Sequence, residues 1–192
     1  MKLFFDTETT GLPKDYNASS EDVDNWPRLV QLGWLMVDDD EKIVSQGNYI
    51  VKPEGFEIPK ESSDVHGITN EKANEQGCDL KSLLKIFANE IIKADIIVGH
   101  NINFDIKVMD AEFIRNKIPV RLKNVDFFCT MQESTNFCKL ANKNGFSSYK
   151  WPNLQELHTK LFGVGFEDAH DAMIDILATK KCYYELIKQL NA

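Results

Sequence analysis

Leu3-Phe4-Phe5-Asp6-Thr7-Glu8-Thr9-Thr10-Gly11 opens as an apolar strand and runs without a break into acid. Leu3 to Phe5 read as a short strand, Gly11 and Pro13 stop it, and residues 14–25 follow as polar loop. If strand geometry continues through the acids, its period of two points Asp6 and Glu8 to one face. Two carboxylates so placed repel each other and lose hydration, and a divalent cation is the usual compensator. The hard ions Mg²⁺ and Mn²⁺ favour carboxylate oxygen. Taken alone, the pair reads more simply as a strand end meeting solvent.

Working outward, Leu29 to Val37 places Val30, Leu32, Trp34 and Met36 on one side and Gln31, Gly33, Leu35 and Val37 on the other. Both sides are largely apolar, which predicts a strand inside a sheet covered on two faces. Beyond the acidic turn Asp38-Asp39-Asp40-Glu41, Lys42 to Val51 is a third strand, and the polar links suggest an antiparallel start. Helices then take over. Leu80, Leu83, Leu84, Phe87, Ile91 and Ile92 make one helical stripe. Ala94 to Val98, closed by Gly99, reads as a buried strand and Phe104 to Arg115 as a helix. Asn124 to Cys129 is a short strand, and Thr130 to Lys139 and Asn153 to Phe162 are helices. In the last helix Ala169, Ala172, Met173, Ile176, Leu177, Tyr183, Tyr184 and Ile187 share a face, with Asp168 as its cap. The order predicts one α/β domain over residues 1–192. Its mixed five-stranded sheet has three antiparallel strands, then parallel ones, and helices on both faces.

Of 192 residues, 43% are hydrophobic and 27% charged, which excludes a disordered chain, a collagen-like chain and a coiled-coil rod. Lys and Arg number 22 against 30 Asp and Glu, a formal charge of −8. That sign argues against holding DNA by a basic surface, yet leaves open a nucleic-acid substrate at a metal-filled site. The four cysteines (Cys78, Cys129, Cys138 and Cys182) form no CxxC pair and read as reduced, intracellular thiols. The first residues lack the pattern of a signal peptide, and no apolar run approaches a membrane span. The expectation is a cytoplasmic protein without membrane contact.

Three further residues join the pair. Asp105 follows the strand 94–98 and the turn Gly99-His100-Asn101, where ligands gather at the carboxyl ends of α/β strands. Asp175 lies on the final helix beside inward-packing Met173, Ile176 and Leu177, so it wants a partner. His170, five residues earlier, lacks the i, i+4 spacing of a metal pair and suits the role of base. Each has a plainer reading: helix-dipole acid, surface acid, surface histidine. Together they match two metals held by carboxylates for in-line displacement at phosphorus. Two such ions would leave a net charge of about −4, with a site attractive to phosphate.

The ordered motifs resemble the DnaQ-like 3′–5′ exonucleases of the DEDD superfamily, in the His-containing (DEDDh) branch. Phe5-Asp6-Thr7-Glu8-Thr9-Thr10-Gly11 matches the first motif. Gly99-His100-Asn101-Ile102-Asn103-Phe104-Asp105 matches the second, and His170-Asp171-Ala172-Met173-Ile174-Asp175 the third. Val65-His66-Gly67-Ile68-Thr69 is similar to the family's connector before its long helix. The resemblance covers nearly the whole chain, and the motifs look most like the group of the polymerase III epsilon subunit. It implies a ribonuclease H-like fold and two Mg²⁺ or Mn²⁺ ions on Asp6, Glu8, Asp105 and Asp175, with His170 as general base. Thr9, Thr10, Leu12 and Phe104 would lie against the terminal nucleotide, and Asn101 would organise the second motif. Nucleoside monophosphates would leave the 3′ end of single-stranded DNA, with a DNA polymerase subunit as a potential partner. The alternatives are an exoribonuclease trimming RNA ends, a catalytically silent nucleic-acid-binding or polymerase-associated module, and a generic metal phosphatase.

The remaining features have two readings each. His66 could orient the loop beside substrate or cap a turn. His100 is expected to satisfy neighbouring groups and His158 to lie at the surface. Trp26 could stack on a base or pack its loop, and Trp34 is core. Trp151-Pro152 lies beside a polar run, 139–150, in which Lys139, Lys143 and Lys150 are candidate phosphate contacts or solvated surface.

Overall fold

The computed structural model describes residues 1–142, 148–167 and 171–191. Lys143, Asp168, Ala169 and His170 lie outside the described residues. The first strand does not end at Phe5: β1 spans Lys2–Thr9 and carries both acids. It is followed by β2 (Leu29–Val37) and β3 (Ile43–Ile50), both antiparallel, and later by β4 (Ile96–Gly99) and β5 (Phe127–Cys129), both parallel. The strand order is β3-β2-β1-β4-β5. This is the expected mixed five-stranded sheet.

Two helical layers cover it, and strand parity assigns each side chain to one of them. Leu3 and Phe5 of β1, Trp34 of β2 and Ile97 of β4 pack on Leu84 and Phe87 of α3 (Leu80–Lys93) and on Ile106 and Met109 of α4 (Ile102–Arg115). Their counterparts of opposite parity, Phe4, Leu35 and Val98, pack on Ile176 and Tyr183 of the last helix, Ala172–Leu190. All nine residues of β2 are buried, as its two apolar sides predict. The four cysteines are free. No helix among the described residues is long and apolar enough to cross a membrane.

Several local expectations are corrected. Ile92 is 74% exposed: it sits about 120° around the helix from the Leu84–Phe87–Ile91 stripe, beyond the arc that reaches the sheet. Leu177 is exposed for the same reason. The strand read over 124–129 is shortened to Phe127–Cys129, because a 3₁₀ turn takes Leu122–Asn124. The helix read over 130–139 breaks at Ser134 into Thr130–Glu133 and Thr135–Cys138. The last helix begins at Ala172 and is capped by Asp171, whose carboxylate accepts from Met173 N (2.9 Å). His158 is buried, not at the surface. Its helix, Leu154–Phe162, ends at Gly163 and the chain folds back, so His158 Nδ1 lies 2.7 Å from Val164 O, with the Phe162 and Phe166 rings against it.

Two helices carried no periodic signal, Lys60–His66 and Asn70–Gln76. The first buries no residue and the second only Ala73. In chain order the eight helices described are α1 (Lys60–His66), α2 (Asn70–Gln76), α3, α4, α5 (Thr130–Glu133), α6 (Thr135–Cys138), α7 (Leu154–Phe162) and α8 (Ala172–Leu190).

Candidate active site

The parity that sorts the core also sorts the acids. Asp6 and Glu8 share the face of Phe4, which α8 covers; Thr7 shares the face of Leu3 and Phe5, which α4 covers. Asp175 stands in the first turn of α8. One oxygen each from Asp6, Glu8 and Asp175 lies within 4.8 Å of the others. The close approach depends on Gly33, which faces Asp6 across the β1–β2 ladder. A Cβ there would stand 2.7 Å from Ile176 Cδ1, 3.1 Å from Ala172 Cβ and 3.3 Å from the Ala172 carbonyl carbon.

Asp105 reaches the cluster from the other layer. It is buried in the first turn of α4, and its Oδ1 accepts from Thr7 N (3.1 Å) and Thr7 Oγ1 (2.6 Å). Asn101 turns the chain from β4 into α4 with a left-handed backbone, φ 62°. A register shift between Glu8 and Thr9 then ends the regular β1–β2 pairing, the kind of bulge that re-aims a strand beside a site.

Burial and mutual repulsion both oppose ionisation here. Asp6 is pushed well above the ordinary carboxylate range by burial first, then by Asp105, Glu8, Asp175 and Asp171. Burial, with Asp175 and Asp105 beside it, raises Glu8 to about 8. Asp105 rises to about 7 by burial, against the two Thr7 hydrogen bonds. Such a group of acids is stable as carboxylates only with a cation among them. The donors are all carboxylate oxygens, which suits a hard divalent ion.

These acids line a cleft of about 490 Å³. Leu12, 74% exposed, stands at it with Tyr16 and Phe104, while Leu154, Gln155 and Phe166 form part of the wall. Asn101 and His100 also line it. His100 is half-buried and engaged at both ring nitrogens: Nδ1 lies 3.0 Å from Thr130 Oγ1 and Nε2 3.0 Å from Pro152 O. Burial holds its pKa down to about 4, so the ring is neutral and ties the end of β4 to the segment before α7. Gln155 is similarly engaged, donating to Phe166 O (2.5 Å) and accepting from Phe166 N (3.0 Å).

The other expected contact residues sit further out. Thr9 donates its hydroxyl to Gly11 O (2.7 Å), and the Thr10 hydroxyl accepts from Arg28 N (2.9 Å). Both shape the turn after β1 and neither side chain lines the cleft. His66 ends α1, where Nδ1 accepts from Ile68 N (3.1 Å); it caps a turn and is not among the cleft residues. Trp26 is buried against Val108 and Ala111 of α4, so it packs its loop and offers no stacking face. Sequence reasoning passed over Thr7 and Gly33. Parity carried the signal for Thr7, and a glycine amid bulky strand residues carried it for Gly33.

A family model described as an exonuclease, RNase_T, matches residues 3–183. The PolC-type DNA polymerase III of Streptococcus pneumoniae serotype 2 (strain D39) is 27% identical over 188 residues. The match covers 98% of this chain but 11% of that protein. The enzyme of the same name from Streptococcus thermophilus (strain LMD-9) is 27% identical over 190 residues, with the same coverage. The chain thus spans about a tenth of the length of these curated relatives. Escherichia coli exonuclease I in complex with a dA16 oligonucleotide superposes with a TM-score of 0.73 at 21% identity, covering 98% of this chain and 40% of that one. The structure of its zinc-bound complex with single-stranded DNA gives the same TM-score. The sheet and its flanking helices are those of the ribonuclease H-like fold.

Proposed function

The chain belongs to the RNase_T exonuclease family, and on that premise we propose that it removes nucleoside monophosphates from the 3′ end of single-stranded DNA. Residues 1–192 act as one exonuclease domain in this reading. The observation that carries it is the meeting of Asp6, Glu8 and Asp175 oxygens within 4.8 Å, with Asp105, brought by the opposite helical layer, close enough to repel the charge of Asp6. Asp6, Glu8, Asp105 and Asp175 would hold two Mg²⁺ or Mn²⁺ ions. When bound, such ions offset the charge of the phosphate under attack and make water a better nucleophile at neutral pH.

The protein's own residues do the rest. Asp6, central to the cluster, is repelled by each of the other three acids and would be a ligand to the bound metal. Thr7 holds the Asp105 carboxylate in place. Leu12 and Phe104 give the terminal nucleotide an apolar wall, and Asn101 sets the turn that presents Asp105. Thr9 and Thr10 support the backbone that would lie against its sugar, with His66 supporting the connector. His170, matched by motif, takes a proton from the attacking water. DNA is favoured over RNA by the likeness to DNA polymerase III relatives and to structures holding DNA oligonucleotides. Those relatives also make a polymerase subunit a reasonable partner.

The test is a time course on 5′-labelled DNA and RNA single strands with Mg²⁺, then with EDTA. A one-nucleotide ladder on DNA, stopped by chelation, is expected. Internal fragments, or no cleavage of either strand, would overturn the reading.

A further inference from the structure

Trp151 is 59% exposed and Tyr149 43%. Neither belongs to a hydrophobic core cluster among the described residues. With Lys150 between them they border a second cavity of about 650 Å³, which Thr135 and Asn136 of α6 also line. The segment that carries them is fixed on several sides. Lys150 N donates to Leu140 O (2.9 Å), and Lys150 Nζ donates to Glu156 Oε1 (2.6 Å). Glu156 in turn closes the capping box of α7 with Asn153. Pro152 is buried, with its carbonyl 3.0 Å from His100 Nε2.

The next residues along the chain, Asn153, Leu154 and Gln155, line the acidic cleft. One anchored stretch, 149–155, therefore borders both cavities. We propose that the second cavity seats the nucleotides 5′ of the one being removed, with Trp151 and Tyr149 stacking on the bases of a single strand. The proposal rests on the nuclease reading above and extends its site.

The chemistry favours that occupant. Aromatic faces accept any base, and only an unpaired strand can offer its bases for stacking. Asn136 supplies an amide suited to sugar and phosphate, while the Thr135 hydroxyl is already donated to Met131 O (2.9 Å). Lys150 is already paired with Glu156, and the whole chain carries −8, so phosphate neutralisation is a weak handle here. Stacking does not need it. Rings held by an anchored backbone also lose little freedom on binding.

The chain's own tryptophans make the test direct. Of three in the sequence, Trp26 and Trp34 are 3% and 2% exposed, so Trp151 is the one that solvent and ligand can reach. The full chain is titrated in Ca²⁺, whose longer and looser coordination does not meet the octahedral geometry Mg²⁺ imposes. The ligands are thymidine 5′-monophosphate and an oligothymidylate of about eight nucleotides. The oligomer is expected to quench tryptophan emission and the monomer to leave it unchanged. In Mg²⁺, a longer strand is expected to have a lower KM than a dinucleotide. That advantage falls about tenfold in Trp151→Ala and returns in Trp151→Phe. Equal KM at all lengths, or an oligomer that leaves emission unchanged while the cleavage ladder persists, would overturn the proposal. Quenching by the oligomer alone, with no cleavage of any strand, would overturn the nuclease reading and with it the 5′ assignment, while upholding single-strand stacking on Trp151.

Discussion

Gly33 faces Asp6 across the β1–β2 ladder, and the space a side chain would need at Gly33 is taken by Ile176 and Ala172 of α8. The last helix lies directly on the strand at that point. This is what carries Asp175, one residue before Ile176, to the carboxylates of Asp6 and Glu8.

Gly33→Ala should therefore damage the site more than the fold. The Ile176 methyl can rotate aside, but the Ala172 backbone carbon at 3.3 Å must move, and the start of α8 moves with it. Overpacking of this kind costs about 1–3 kcal/mol. Divalent-ion affinity should fall about tenfold or more, because the ligands are displaced from their common centre. Thermal unfolding and calorimetric titration with Mn²⁺ read the two effects separately. Unchanged Mn²⁺ affinity would show that α8 has another way to reach the strand.

Thr7→Val removes the 2.6 Å bond to Asp105 and keeps the backbone donor at 3.1 Å. The buried carboxylate then keeps only one of the two donors that Thr7 gave it, and its orientation loosens. The Mg²⁺ concentration needed for half-maximal cleavage should rise about tenfold to a hundredfold, and Thr7→Ser should restore it. A serine variant no better than valine would assign Thr7 a packing role instead.

Metal-free protein should lose stability as pH rises from about 4.5 to about 8. In the fold Asp6, Asp105 (about 7) and Glu8 (about 8) keep protons that the unfolded chain releases near the ordinary 3.8 of aspartate and 4.5 of glutamate. The folded state thus binds more protons through this window, and rising pH favours unfolding. His100 acts in the opposite sense lower down. Its folded pKa of about 4 lies below the ordinary 6.5, so acidification through that range favours the unfolded chain. The melting temperature measured against pH should fall between about 4.5 and about 8 without metal. The fall should shrink in Glu8→Gln or with saturating Mn²⁺. A flat profile would mean that the acids ionise in the empty site without strain.

His170→Ala should slow cleavage about a hundredfold to ten-thousandfold, the usual range for a general base, while calorimetric Mn²⁺ binding is retained. Wild-type turnover in this variant at saturating Mg²⁺ would remove His170 from the mechanism.

Much of this was legible beforehand because the signals were local. The two-sided apolar run Leu29–Val37 marked an interior strand, and Pro152 and Gly163 bracketed a helix. Helices α1 and α2 were not legible, because almost nothing on them is buried and no apolar stripe forms. His158 gave no hint of burial, since what covers it is a chain reversal after Gly163 rather than its own helix face. Among the contact residues, nothing local separated the cleft-lining Leu12 and Phe104 from Thr9, Thr10 and His66, whose hydrogen bonds hold turns.

From its sequence alone, then, this protein's first strand, wherever it continued past Phe5, had to show Asp6 and Glu8 on one side and Thr7 on the other. That alternation is a property of extended backbone and needs no distant partner. Only the tertiary structure decided that Asp175 and Asp105 would reach the same cleft. They arrive on helices from opposite layers, one seated on the bare backbone of Gly33 and one tied to Thr7. Such meetings depend on how helices pack against a sheet, over separations of about a hundred residues, and no local periodicity encodes them.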